Sequence, residues 1–342
     1  MSRAHAAPLR SRRSLLFVPG AEPRKLERAR AAGADTLILD LEDSVAPAQK
    51  TDARTHVAEA LRAGGFGATE VAVRVNAPGT AYFEADLAAV IASGGRAIML
   101  PKAESAAGVA AVAGLLQKLE RERGDAKELK EKPGGVSAAA GEAGRSSKGR
   151  VARPAADGDE DEAGARLLLL IESPAGVADA VAIGRAAPNA AALCFGHADF
   201  SLQMGLAEAD AAHGVVFHAR CTVAIAARAC GLAPIDSVFL AVRDETGFRE
   251  DVALGLRLGF DGKLCIHPRQ VEIANELYTP GAEQVGYALR VLELWRQAED
   301  DARGVVTLDG KMIDAPIVAA QRRILERARR AGVLTAERAQ RV

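Results

Sequence analysis

The stretch 167-LLLLIESPAG-176 sets five apolar residues ahead of a carboxylate, Glu172, and places Pro174 two positions further on. A strand that is apolar at successive rather than alternate residues is buried on both faces, as in a parallel sheet covered by helices. Pro174 has no N–H with which to continue a hydrogen-bonded ladder. Glu172 therefore stands where a doubly buried strand leaves the core.

The same kind of run recurs along the chain as 14-SLLFV-18, 36-TLILDL-41, 71-VAVRVN-76, 97-AIMLP-101, 192-ALCFG-196, 236-DSVFL-240 and 262-GKLCI-266. Stretches rich in Ala, Glu, Arg and Leu follow these runs and have helical character. Such strand–helix alternation argues for a parallel sheet. Eight units fit a closed (β/α)8 TIM barrel better than an open doubly wound sheet, and 342 residues accommodate that barrel as one domain.

Composition agrees. With 49% hydrophobic residues but only 4% aromatic ones, the core must be built from Ala, Val, Leu and Ile. A formal charge of −1 gives no general attraction to nucleic acid or to an anionic membrane, so any anion must be held by a local site. No run reaches membrane-spanning length, and the apolar run after the basic N-terminus is too short for a signal sequence. Cys194, Cys221, Cys230 and Cys265 have neither CxxC nor zinc-site spacing and read as reduced, buried thiols of a soluble, cytoplasmic protein.

The expected organisation is a flexible N-terminus over 1–12, a barrel over 13–280, and a C-terminal extension over 281–342. The barrel is interrupted at about 122–165, where Gly, Ala, Ser and mixed charges leave too few large aliphatics to repay ordering, and a disordered insertion is expected. The extension reads as a helix (283–303), a short hairpin (304–314) and a second helix (315–332), making a helical addition to the barrel.

Active sites of such barrels lie at the C-terminal ends of the strands. Those positions carry Phe17, Glu42 and Asp43, Arg74 and Asn76, Lys102, Glu172, Gly196 and Asp199, Asp236, and His267. Any one of them alone reads equally as the first solvated residue of a loop; together they converge on one end of the barrel. Glu172 and Asp199 come from consecutive strands, about 4.8 Å apart in a sheet, so their carboxylates can share one divalent cation. Hard oxygen ligands favour Mg²⁺ or Mn²⁺ over zinc. The alternative for Glu172 is to cap the next helix or pair with an arginine.

The ordered segments RSLLFVPG, LDLEDSVAP, VRVN, LPKAE, IESPAG, FGHADF and GKLCIHPRQ resemble the HpcH/HpaI aldolase and citrate lyase family, in its citrate lyase beta-subunit-like branch. The element GKMIDAP (310–316) further resembles the malyl-CoA and citramalyl-CoA lyases. The resemblance implies a TIM barrel, assembled as a homotrimer or homohexamer, that uses Mg²⁺ to make or break a C–C bond between an acyl-CoA thioester and a 2-oxo acid. It implies Glu172 and Asp199 as metal ligands and Arg74 on substrate oxygens. Gly196 to Asp199 would line the oxo-acid site, Phe17 and Arg28 would contact CoA, and Ile235 and Asp236 would lie at the substrate mouth. Asp314, from a neighbouring subunit's tail, would cover the active site.

One position departs from the pattern: PGAEP places Glu22 where related lyases carry arginine near the CoA phosphates, and Arg24 or Lys25 would have to substitute. In the implied mechanism Arg74 stabilises charge on the reacting oxygens, and Asp314, its pKa raised by closure, moves the proton of the acyl carbon. Glu42, Asp43 and Lys102 support the metal site, the two acids as acceptors for metal-bound water. His197 and His267 read as structural. A malyl-CoA thioesterase, a CoA-independent hydroxy-acid aldolase and an accessory citrate lyase beta-like subunit are the competing functions.

Overall fold

The computed structural model describes residues 10–131, 164–207, 211–300 and 304–334. Eight parallel strands close into a barrel in sequence order. They are β1 (Ser14–Pro19), β2 (Thr36–Asp40), β3 (Glu70–Arg74), β4 (Ala97–Leu100), β5 (Arg166–Ile171), β6 (Ala190–Phe195), β7 (Ala233–Asp236) and β8 (Gly262–Cys265). Closure is made by β1 against β8, with Leu15 paired to Leu264. Gly262 is required at that seam, because a side chain there would collide with the Arg12 carbonyl oxygen.

Side chains alternate along each strand between the barrel interior and the helix layer. Leu15, Ile38, Ala72, Met99, Leu170 and Cys194 belong to the apolar group that fills the interior. Their neighbours Leu16, Leu37, Val73, Ile98, Ile171 and Leu193 pack outward against the helices. Large and small inward residues interleave, so the barrel is a packed core with its functional end above it.

The connecting helices are α1 (Pro23–Ala29), α2 (Lys50–Ala63), α3 (Phe83–Ala92), α4 (Ala106–Glu131), α5 (Pro174–Ala178), α6 (Ala180–Arg185), α7 (His197–Gln203), α8 (Gly214–Cys230), α9 (Glu245–Leu258) and α10 (Pro268–Tyr278). Beyond them α11 (Ala282–Asp300), the hairpin β9 (Val306–Leu308) and β10 (Lys311–Ile313), and α12 (Ala315–Arg330) form the extension. It has its own core of Val291, Leu292, Trp295, Ile313, Val318 and Leu325. Asp309 and Gly310 turn the hairpin with positive φ angles of 51° and 73°, which suits an Asp-Gly turn.

Three expectations are corrected. The seventh strand is Ala233–Asp236, not 236–240. Here the backbone pairs Pro234 with Leu193 and Ile235 with Gly262, and the apolar residues 238–240 fall beyond the ladder. The interruption does not start at 122, since α4 continues to Glu131. That segment is polar but rich in helix formers, and Glu122 lies 3.8 Å from Lys118 one turn earlier. Residues 132–163, the greater part of the expected insertion, are outside the described residues. Finally, the end of the N-terminal segment is fixed. Arg12 is buried and donates to both oxygens of Glu70 at 2.6 and 2.7 Å, and Ser11 donates to Asp35 at 2.9 Å; residues 1–9 are outside the described residues.

Candidate active site

Alternation that puts Ile38, Ala72, Leu170, Cys194 and Leu264 inside the barrel makes Asp40, Arg74, Glu172, Gly196 and Ile266 the next inward positions, one pleat higher. Together with Phe17 of β1 these residues line a cavity of about 370 Å³ at the C-terminal end of the strands, and Asp43 and Asp199 complete its acidic side. The site thus arises because a period-two pattern turns polar where it leaves the core.

Arg74 is the most constrained group. Its Nε and Nη2 donate to Oδ1 and Oδ2 of Asp40, each at 2.7 Å, while Nη1 donates to Asp43 at 3.0 Å. Nη1 also lies 2.9 Å from Glu42 Oε2, outside hydrogen-bond geometry, which leaves that buried oxygen with charge contact but no hydrogen bond. The guanidinium carbon sits 4.9 Å from the centre of the Phe17 ring. Burial tends to raise the Asp40 carboxyl, but the paired Arg74 bonds and charge overcome it and hold Asp40 below the usual carboxylate range. Asp40 is the participant that a reading of strand ends does not find: it falls inside the apolar run 36–41, two residues after the inward Ile38.

Glu172 directly follows β5 and is buried. The following turn is capped by its neighbour, not by Glu172: Ser173 Oγ accepts from Gly176 N at 3.0 Å, and Pro174 occupies the first turn of α5. Glu172 Oε1 instead accepts from the backbone N–H of Lys102 at 2.8 Å. Lys102 has a left-handed φ of 51°, an unfavourable conformation for a residue with a side chain, and that conformation accompanies the aim of its N–H at Glu172. Gly196 makes room on the other side, since a Cβ there would lie 2.7 Å from Glu172 Cβ.

Acidity is unbalanced at this point. Burial and then the adjacent Glu42 carboxylate push Glu172 up to about 8, with Asp199 adding to the rise against the Lys102 N–H. Glu42 is itself raised, first by burial, which Arg74 and Lys102 offset only in part. Lys102 Nζ donates to Glu42 Oε1 at 2.9 Å and lies 3.9 Å from Asp199 Oδ2. Glu42 therefore contacts both Arg74 and Lys102, while Asp43 contacts Arg74.

This surplus of carboxylate suits a divalent cation. Among the described residues no group of three or more His, Cys, Asp and Glu side chains forms a complete cage. Mg²⁺ does not need one, because it commonly takes one or two carboxylates and completes its octahedron with water and substrate oxygens. The buried, half-satisfied acids and the all-oxygen donor set fit that ion.

Other expected site residues lie elsewhere. Ile235 points inward but is fully buried within the apolar layer below the cavity. Asp236, next to it, consequently points outward into the helix layer, where it accepts from Arg220 Nε at 2.8 Å and Lys263 Nζ at 3.1 Å. The structure does not bring it to the mouth. Arg28 is exposed on α1. Glu22, the unexpected acid, pairs with Lys25 at 2.7 Å, so much of its charge is answered locally.

Asp314 caps α12 by accepting from Ile317 N at 3.1 Å and does not line the cavity of its own chain. His267 caps α10 through Nδ1, which accepts from Arg269 N at 3.1 Å. His197 is buried with Nδ1 unpaired, and burial followed by the charge of Lys263 lowers its pKa. Cys194 and Cys265 are buried thiols pushed up to about 12 by burial, but Cys221 and Cys230, expected to be buried as well, are partly exposed on and at the end of α8. No helix among the described residues is long and apolar enough to cross a membrane.

Comparison with known proteins identifies the class. The citrate lyase subunit beta of Escherichia coli (strain K12) is 33% identical over 324 residues, covering 95% of each chain. The L-malyl-CoA/beta-methylmalyl-CoA lyase of Rhodobacter capsulatus is 30% identical over 327 residues, covering 90% of this chain and 92% of that one. Among solved structures, protein CitE from Mycobacterium tuberculosis in complex with magnesium, acetoacetate and coenzyme A superposes with a TM-score of 0.67 at 29% identity, over 94% of this chain and 98% of that one. The protein is a carbon–carbon lyase. It belongs to the HpcH/HpaI aldolase/citrate lyase family, whose profile matches residues 13–268.

Proposed function

We propose that this lyase cleaves, or in reverse forms, a 3-hydroxyacyl-CoA of the malyl-CoA or citramalyl-CoA kind, giving an acyl-CoA and a 2-oxo acid, with Mg²⁺ as cofactor and Mn²⁺ as a substitute. The observation that carries the reading is the buried Glu172, which shares one cavity at the strand ends with Asp43 and Asp199 and with an arginine that Asp40 and Asp43 hold in place. Glu172 and Asp199 would hold the ion, which when bound supplies a Lewis acid and template for the oxo acid.

The chain's own groups then have defined tasks. A guanidinium has five N–H groups, and three of those of Arg74 are bound by Asp40 and Asp43. The remainder can donate to the substrate oxygen at C3. The hydroxyl passes its proton to water in the open cavity as its oxygen becomes the carbonyl; the electrons of the cleaved C–C bond pass to the thioester as an enolate, which takes a proton to become the acyl-CoA. Asp314 of a neighbouring subunit is the group assigned to that proton. Support for assembly comes from the tail, where Val305 and Met312 are 54% and 63% exposed near an Asp314 that does not line the cavity of its own chain. A homotrimer or homohexamer residing in the cytoplasm, with CoA lying along Phe17 and Arg28, completes the reading.

The test is an assay with malyl-CoA and citramalyl-CoA plus Mg²⁺, recording 2-oxo acid and free thiol separately, with Glu172→Ala as control. Oxo acid without thiol is expected. Thiol without oxo acid would make the protein a thioesterase, and neither product would refute CoA chemistry.

A further inference from the structure

Lysine is an unfavourable choice for position 50. It opens α2, where the partial positive charge of the helix end opposes a cation. It is also buried, at a cost in lost hydration of the ammonium. The ammonium reaches back to the end of β2 and donates to the carbonyl oxygens of Leu41 at 2.8 Å and Glu42 at 2.7 Å. Burial lowers its pKa, and the charges of Asp40, Glu42, Asp86 and Asp43 oppose that fall.

The two peptide groups that Lys50 holds lie among the residues that brace Arg74, whose Nη1 is 2.9 Å from Glu42 and 3.0 Å from Asp43. The segment also folds on itself: Asp40 accepts from Glu42 N at 2.9 Å, and the Glu42 carbonyl accepts from Val45 N at 3.0 Å. Lys50 fastens that folded segment to α2. One turn further along the same face of α2, Arg54 donates to Asp86 of α3 at 2.7 Å. Asp86 is fully buried, and its other oxygen accepts from Asn76 N at 3.0 Å and Asn76 Nδ2 at 2.6 Å, two residues beyond Arg74. One face of α2 thus holds both strand exits, that of β2 through Lys50 and that of β3 through Arg54 and Asp86. The spacing of those exits is the spacing between Arg74 and the carboxylates that aim it.

We infer that Lys50 is a positioning residue of the lyase: it does not line the cavity, but it sets where Glu42 and Asp43 stand and so where Arg74 points. The inference rests on the task given to Arg74 above. A cation kept against both helix dipole and burial, behind the acidic side of the cavity, is the kind of local conflict that a functional site maintains.

Lys50→Met keeps the apolar stem and removes the ammonium. Arg12→Met makes a comparable lesion at the opposite end of the barrel, where Arg12 is buried against Glu70, and is the matched control. Both should lower Tm by roughly 3 to 7 °C. Lys50→Met should also lower kcat about 100-fold, as a displacement of about 1 Å in a positioning group can, with KM within about threefold of the parent. Arg12→Met should leave kcat within about threefold. Lys50→Gln, which can still donate to one carbonyl, takes the place of Lys50→Met if that chain does not fold. Crystal structures read the positioning without any assay: the Arg74 guanidinium should shift by about 1 Å in the Lys50 variant and stay in place in Arg12→Met. Equal losses of kcat in the two variants, or an unmoved guanidinium in the Lys50 variant, would overturn the inference. A parent protein inactive toward malyl-CoA and citramalyl-CoA would refute the proposed substrates instead, and the crystallographic comparison would still decide whether Lys50 places Arg74.

Discussion

Asp40→Asn separates the positioning of Arg74 from the charge of the metal site. The Asp40 and Arg74 side chains are buried, at 1% and 10% exposure, and they meet through two bonds of 2.7 Å. The amide keeps one acceptor but turns an NH₂ group toward the second guanidinium nitrogen. Removing one partner of a buried pair costs about 3 to 5 kcal/mol. Because Glu42 and Asp43 still contact Nη1, the lower end applies, about 3 kcal/mol. For a chain of this length that corresponds to a fall in Tm of roughly 4 °C. Loss of the fork also frees the guanidinium to rotate off Phe17, and a displacement of about 1 Å in a positioning group can cost on the order of 100-fold in rate. Differential scanning calorimetry and the oxo-acid assay should therefore show a modest loss of stability, a large fall in kcat, and little change in Mg²⁺ affinity, since Asp40 is not assigned to the ion. A kcat within threefold of the parent would refute the view that Asp40 holds Arg74 in its working geometry.

The raised Glu172 carboxyl makes metal-free stability fall with pH. Its folded pKa of about 8 lies above the model-peptide value of 4.5, so the folded state binds the extra proton between those values and stability is lost as pH rises through that window, by at most about 5 kcal/mol. Mg²⁺ should raise Tm more at pH 8 than at pH 6, and Glu172→Gln should abolish the difference; an equal Mg²⁺ effect at both pH values would contradict this. Gly196→Ala must displace Glu172, because the new Cβ would stand 2.7 Å from Glu172 Cβ, and should weaken Mg²⁺ binding about tenfold as the strained side chain shifts; unchanged affinity on titration would show that Glu172 has slack. Asp314→Asn keeps a good helix cap and should leave Tm and Mg²⁺ affinity near the parent values while lowering kcat about 100-fold or more. Mixing it with Glu172→Ala chains should restore activity in hybrid assemblies; no recovery despite confirmed mixing would exclude action between subunits.

Continuous apolar runs were enough to locate the strands because both faces of each one are covered, and seven of the eight runs match an observed strand to within two residues at either end. β7 escaped because its sequence, APID, contains a proline and an aspartate, both of which argue against a central strand when read locally. What makes them tolerable is tertiary: Asp236 is neutralised by Arg220 from α8 and Lys263 from β8, partners that no local pattern announces. Asp40 failed in the opposite direction. Its signal was local, the step of two from Ile38, but a carboxylate inside an apolar run is explained only by Arg74, 34 positions later. Polar residues that repeat a strand's inward phase were thus legible as a site, whereas the buried ion pairs that hold that site, and the phase that sends Asp236 away from it, depend on which helix packs behind each strand. A search for inward-phase polar residues just above the last apolar layer would have selected Asp40, Arg74 and Glu172 and left out Asp236. That is the choice a barrel makes physically, because only the inward phase can reach a common ligand.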